Sequence, residues 1–320
     1  MQFLKSILLL GFLFLPLKSI SAETDQYFTM KETLRNINEE VSVQLNANYK
    51  EALNKAQIKK DYSCEAVTIK VGKKFIGLND NLLKKWIIKN LSEDMAPEFK
   101  SKSNSDYYNV SIYAEKKMWP YNLVALDPNI NIGGVYISLD KIVHFQGSGI
   151  LYYKRYLKAL KKEMTEKEAQ IYAIKFGFKS ENFILGRLGS GVFSYGDMEA
   201  NFQGFLLYKS FCSGESPRLQ KNSVGKWHLV REIDLKNYIT PEMDEIFNPS
   251  TYGPIRGKYI RRGIKKYCKK EFLENPMFKA RINYYKEIST SSLSQNFLKN
   301  MIEMGKTGDN QVNSIFNICK

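Results

Sequence analysis

Apolar residues recur at helical spacing along most of this chain. Between residues 30 and 57, Leu34, Ile37, Val41, Leu45 and Leu53 repeat at turn-length intervals with charges filling much of the other side. One long amphipathic helix is expected there. Residues 82–91 carry Leu82, Leu83, Trp86, Ile87 and Leu91 behind Asn81, the mark of a short helix with a side-chain cap. Residues 165–178 open on Thr165 with Glu168 three positions later, a capping box. Further helices are expected from Ser194 to about Cys212, over 258–272 and over 297–304, whereas 64–76 fits helix or strand. Residues 107–113 alternate weakly, as a short strand would. Residues 92–106, 120–134 and 213–226 read as loops, with Asp127-Pro128-Asn129 as a turn signal. The pattern predicts a mainly α class: a compact multi-helix domain with a few short strands.

Two of these helices carry ionisable groups on otherwise apolar faces. Asp140 and His144 are spaced i, i+4 and share one side; Ser194, Asp197 and Asn201, spaced i, i+3, i+7, share another. Gly147-Ser148-Gly149 is expected to interrupt the first helix, which resumes over 151–162. Gly196, Ala200 and Gly204, spaced i, i+4, i+8, suggest close approach of the second helix to a neighbour. A carboxylate and an imidazole one turn apart can bind a metal ion or form an acid–base pair. The same residues can equally be a structural histidine bonded to Asp140, or an Asp140 that caps its helix. Ser194 and Asp197 fit a capping box with no chemistry at all. Asn201 does not, and an amide on the buried side needs partners. The candidate catalytic residues are thus Asp140, His144, Asp197 and Asn201, with Asp140, His144 and Asp197 as candidate ligands of a divalent ion. Lys141 and Ser194 are candidate substrate-binding residues. Asp244, Glu245 and Asn248, after Pro241, join them, or complement a helix N-terminus. His228 reads as structural.

The first 22 residues change the address. Lys5, an apolar run over residues 6–17 and Ile20-Ser21-Ala22 make an export signal, too short to span a membrane. The mature chain is expected in the periplasm or outside the cell. Beyond the signal the expected organisation is an N-terminal helical region (23–130), a motif-bearing helical core (131–213) and a basic C-terminal region packed on it (214–320). Removal of the signal lowers the formal charge from +15 to +13, since Lys5 and Lys18 are lost and no acid. Such a balance favours anionic partners, here lipid headgroups or cell-wall polymers, with nucleic acid the least expected. A lysine-rich composition with no specific partner accounts for it as well. No later apolar run reaches spanning length. The basic run over 258–270 is a solvated face or one that rests on an anionic surface. Cys64, Cys212, Cys268 and Cys319 match no metal motif and allow up to two disulfides in any of three pairings, or free buried thiols. No phosphate loop, Ser-His-Asp order, HExxH or CxxC occurs.

Asp140, Lys141, His144 and Phe145, followed by Ser194, Asp197, Ala200, Asn201 and Gly204, spell DKxxHF…SxxDxxANxxG. This combined pattern resembles that of VanZ-like envelope proteins and related exported bacterial proteins. The chain departs from it in the charged stretch with Lys154, Arg155, Lys158, Lys161 and Lys162, where a VanZ-like protein is apolar. The resemblance implies an envelope setting and a shared polar site, and supplies no reaction. Together with the residues themselves it leads to two expectations: a metal-assisted hydrolase acting on an envelope component, or a non-catalytic binding or structural protein of the envelope.

Overall fold

The computed structural model describes residues 22–56, 58, 61–77, 80–96, 108–114, 125–183 and 191–320; the expected export signal lies outside them except for Ala22. The fold is mainly α with a few short strands. In chain order, strand β1 (Ala22–Glu23) is followed by helices α1 (Asn38–Lys55), α2 (Cys64–Gly72) and α3 (Leu82–Asn90). Strand β2 (Ala125–Leu126) lies parallel to β1. Strands β3 (Asn129–Ile132) and β4 (Val135–Ser138) form an antiparallel hairpin, which Gly133 and Gly134 turn with φ of 62° and 92°. Helix α4 (Leu139–Val143) runs through one π turn (His144–Ser148) into α5 (Gly149–Leu160). Helix α6 (Glu166–Phe183) follows, then β5 (Val192–Phe193) and α7 (Tyr195–Cys212). Strands β6 (Leu219–Lys221) and β7 (Trp227–Leu229) form a second hairpin, and β8 (Thr251–Tyr252) pairs with β5. The chain ends in α8 (Pro254–Ile264), α9 (Lys270–Leu273), α10 (Pro276–Ile288), α11 (Leu293–Glu303) and α12 (Ile315–Ile318).

Helix α7 is the axis of the molecule. Every residue from Tyr195 to Phe205 is buried, because α2, α5, α6, α11 and the 3-10 turn Pro241–Met243 all pack around it. A helix enclosed all round is expected to be mostly apolar, so the buried Asp197, Glu199, Asn201 and Gln203 it carries need partners. The Ser194 hydroxyl accepts the Asp197 amide at 3.0 Å and starts it; Cys212 at its end is bonded to Cys64 at the start of α2. The second disulfide, Cys268–Cys319, ties the chain's end to the segment before α9. Among the described residues no helix is long and apolar enough to cross a membrane.

Several expected elements differ. The helix over 30–57 begins only at Asn38. Leu34 and Ile37 are buried, yet their backbone is taken by β3: the Ile37 amide donates to the Asn131 carbonyl at 3.0 Å, and Asn131 Nδ2 donates to the Leu34 carbonyl at 2.8 Å. Residues 108–110 form a helical turn where a strand was expected. The expected loops over 120–134 and 213–226 contain β2, β3 and β6, and the expected basic helix over 258–272 is cut into α8, a 3-10 turn and α9. Gly147-Ser148-Gly149 does not interrupt its helix. A Cβ on Gly149 would lie 2.6 Å from the Gly204 carbonyl carbon, and one on Gly204 would overlap the Phe145 carbonyl oxygen. These glycines let α4–α5 and α7 touch backbone to backbone, which confirms the small-residue stripe as a packing device.

Candidate functional site

That close crossing brings the two polar faces together. His144, in the π turn, points Nε2 at Asp197 Oδ2, 3.3 Å away on α7. Its Nδ1 lies 3.0 Å from Asn201 Oδ1, one turn further along the same helix. An amide oxygen accepts only, so Nδ1 carries the proton and donates it. The Asn201 amide reaches the Tyr152 hydroxyl of α5 at 3.5 Å. Asp140, Asp197, His144 and Asn201 are each at least nine-tenths buried. Asp140, His144 and Asp197 each offer one ligand atom, and the three atoms lie within 4.8 Å of one another, close enough to hold one ion.

Beside this triad sits a lysine with almost no solvent contact. Lys141, 1% exposed, places its ammonium 3.1 Å from Asp140 Oδ2, 2.8 Å from Asp197 Oδ1 and 2.8 Å from Glu245 Oε1. Burial works against its charge, but Asp140, Asp197 and Glu245 together outweigh it and hold the ammonium well above the usual lysine range. Burial pushes the Asp140 carboxyl up against the pull of Lys141, and Asp197 adds to the rise. Three acids therefore face one fixed cation. Among the described residues Asp140 Oδ1 has no partner, and Asp197 Oδ1 meets only the ammonium. In a folded interior, where polar atoms are as a rule paired, the unpartnered oxygen beside a histidine is the feature that calls for explanation.

The residues expected after Pro241 divide. Glu245 turns into the site, where it accepts from Lys141 and from the Ser194 hydroxyl at 3.0 Å. Asp244 and Asn248 turn away into the scaffold. Asp244 accepts from the Ile246 amide at 2.8 Å and the Tyr285 hydroxyl at 3.1 Å; Asn248 bonds the Glu242 carbonyl and Asn310, both at 2.8 Å. Both are corrected from substrate binding to structure. Lys141 is corrected too: an ammonium enclosed by three carboxylates is not available to neutralise a substrate. Ser194 serves as helix cap and as donor to Glu245, and His228 is exposed on β7 rather than packed in the core.

Glu181 was not singled out from sequence. It is buried near the end of α6, and burial, with Asp197 and Glu23 adding to it, holds its carboxyl well above the usual range. It follows Lys179 and Ser180 in a polar stretch, and no spacing distinguishes it there. The chain matches no protein-family model, no curated protein and no solved structure. The likeness to VanZ-like proteins therefore rests on the motif residues alone.

Proposed function

We propose that this chain is an exported cell-envelope protein whose Asp140, His144 and Asp197 hold one divalent cation and use it to hydrolyse an envelope component. The observation that carries the reading is the orientation of His144. With Nδ1–H given to Asn201, the Nε2 lone pair faces Asp197 beside the unpartnered Asp140 Oδ1. A lone pair aimed at carboxylates needs a positive charge between them, a proton or a metal ion. Fixing one ring nitrogen by an outer hydrogen bond is how proteins orient a metal-binding histidine. One imidazole with carboxylate oxygens suits Mg²⁺, Mn²⁺ or loosely held Zn²⁺. Such an ion supplies polarisation of a carbonyl or phosphoryl oxygen. Lys141 sets how much negative charge is left for it, and Asn201 keeps the tautomer that exposes Nε2.

The triple pairing of Lys141 favours a second reading, in which the network only locks α4, α7 and the turn at Glu245 together. Metal titration of the mature chain, stripped with chelator, separates the two. The catalytic reading expects one saturable ion per chain among Mg²⁺, Mn²⁺ and Zn²⁺. It also expects affinity to fall by at least about tenfold in His144→Ala and Asp140→Asn, with turnover of envelope fragments lost alongside. A folded protein that binds none of the three ions would leave the locking role.

A further inference from the structure

Far along the chain, α8 gathers positive charge on one stripe. Ile255, Lys258, Arg261, Arg262 and Lys265 fall within about a third of the helix circumference at 100° per residue. Lys258, Arg262 and Lys265 are exposed. The C-terminal segment lies beside them. Arg261 donates to Asn313 Oδ1 at 3.2 Å, and Cys268–Cys319 fastens the end of the chain. Together they enclose a groove of about 470 Å³ lined by Lys258, Arg261, Arg262, Lys265, Val312, Asn317 and Ile318. No acid lines it. Ile255 is 73% exposed and Val312 55% exposed.

We propose that this groove docks the protein on an anionic phospholipid surface, with lipid phosphate between Lys258, Arg262 and Lys265 and with Ile255 and Val312 entering the acyl boundary. Cations alone would serve any polyanion. Two large apolar side chains left in water beside them are what a lipid surface uses and a soluble polymer does not. The surface charge of anionic leaflets attracts each nearby lysine or arginine and is screened by salt. The proposal is independent of the cation site, which shares no residue with the groove.

Co-sedimentation of the mature chain with phosphatidylcholine vesicles, with and without phosphatidylglycerol, tests it. Binding is expected only when phosphatidylglycerol is present, and it should weaken steeply with salt. The Lys258→Gln, Arg262→Gln, Lys265→Gln triple variant should partition roughly a hundredfold less. Ile255→Ser with Val312→Ser should lose vesicle binding while retaining binding to soluble polyphosphate. All five positions are exposed, so far-UV dichroism and melting should match the parent, and metal titration should be unchanged. Equal binding to neutral vesicles would overturn the proposal, as would triple-variant binding equal to the parent. If the double serine variant bound vesicles as well as the parent, a polyanionic polymer would replace lipid as the partner.

Discussion

The molecule holds two buried polar clusters built from similar residues, and they are finished differently. In the first, both carboxylate oxygens of Asp244 and both amide atoms of Asn248 have partners, although Arg281 and Glu242 beside them keep unpartnered atoms. The Tyr285 hydroxyl even bridges Asp244 to the Tyr136 amide, accepting from the latter at 2.8 Å. Around Lys141, at comparable burial, three acids share one ammonium, an Asp140 oxygen has no partner among the described residues, and His144 Nε2 lies 3.3 Å from Asp197 Oδ2. Burial of a polar group costs the same in either place. A carboxylate that only stabilises is expected to complete its bonds, as Asp244 does and Asp140 does not. One that leaves charge and oxygen unsatisfied is holding something in reserve, and here that reserve has the charge and donor set of a cation site.

Lys141→Met should break the comparison hardest. It strips the second cluster of its one fixed cation, and an uncompensated set of buried carboxylates costs about 3–5 kcal/mol. Millimolar Mn²⁺ should restore part of the loss, because a divalent ion can replace the missing charge. Thermal melts with and without Mn²⁺ measure both effects. Asp244→Asn is the control from the first cluster. It should cost roughly 1–3 kcal/mol through impaired hydrogen bonds, with no rescue by metal. Equal rescue of both variants, or of neither, would erase the distinction between the clusters.

The two clusters also mark where the sequence was legible. Asp140, His144, Asp197 and Asn201 could be read because each pair lies on one helix, where spacing alone decides which side chains are neighbours. Caps at Asn81, Thr165 and Ser194 placed three helix starts for the same local reason. Lys141 was misread because lysine is ordinarily solvated, and only the fold assembles three acids around it. Glu245 and Asp244 are adjacent, and the backbone of the turn that follows the 3-10 segment Pro241–Met243 decides which faces the site. Strand β3 falls inside the expected loop over 120–134 because Asp127-Pro128-Asn129 reads as a turn, and Asn131 is no better a strand former. Their amides are instead satisfied at long range, Asn129 by the Asp25 carbonyl and the Thr24 hydroxyl and Asn131 by the Leu34 carbonyl.

Asn201→Asp sharpens the comparison with a smaller effect. The carboxylate still accepts from His144 Nδ1, and the only bond it gives up is the long one to Tyr152. With the cation bound, stability should stay near that of the parent; in chelator the added buried charge beside Asp197 should lower it. Affinity for the cation should rise, on the order of tenfold, since the added charge makes the imidazole a better donor. Calorimetric titration beside a melt reads the two quantities separately. A large fall in melting temperature with unchanged affinity in the folded fraction would return Asn201 to the scaffold.

The smallest effect lies at Glu181, and it appears only as a dependence on pH. Burial, then Asp197 and Glu23, raises its carboxyl well above the ordinary range in the folded chain. Between the ordinary carboxylate pKa and that raised value, the folded state binds more protons than the unfolded state. Stability therefore falls as pH rises across this window. Below the window the group costs nothing, because it is protonated in both states; above it the loss is complete. Gln keeps the shape of the neutral acid and cannot ionise. Glu181→Gln should then melt with the parent at the acid end, separate from it as pH rises, and be the more stable of the two near neutrality in chelator. The Asp244 carboxyl is raised by burial too, but Arg281 and its hydrogen bonds pull it back. The net direction is still upward, so Asp244 shares the sign of Glu181; Asp244→Asn differs in losing stability through its impaired hydrogen bonds at every pH. Parallel melting curves for Glu181→Gln and the parent from acid to neutral pH would show that this carboxyl does not belong with the unfinished cluster.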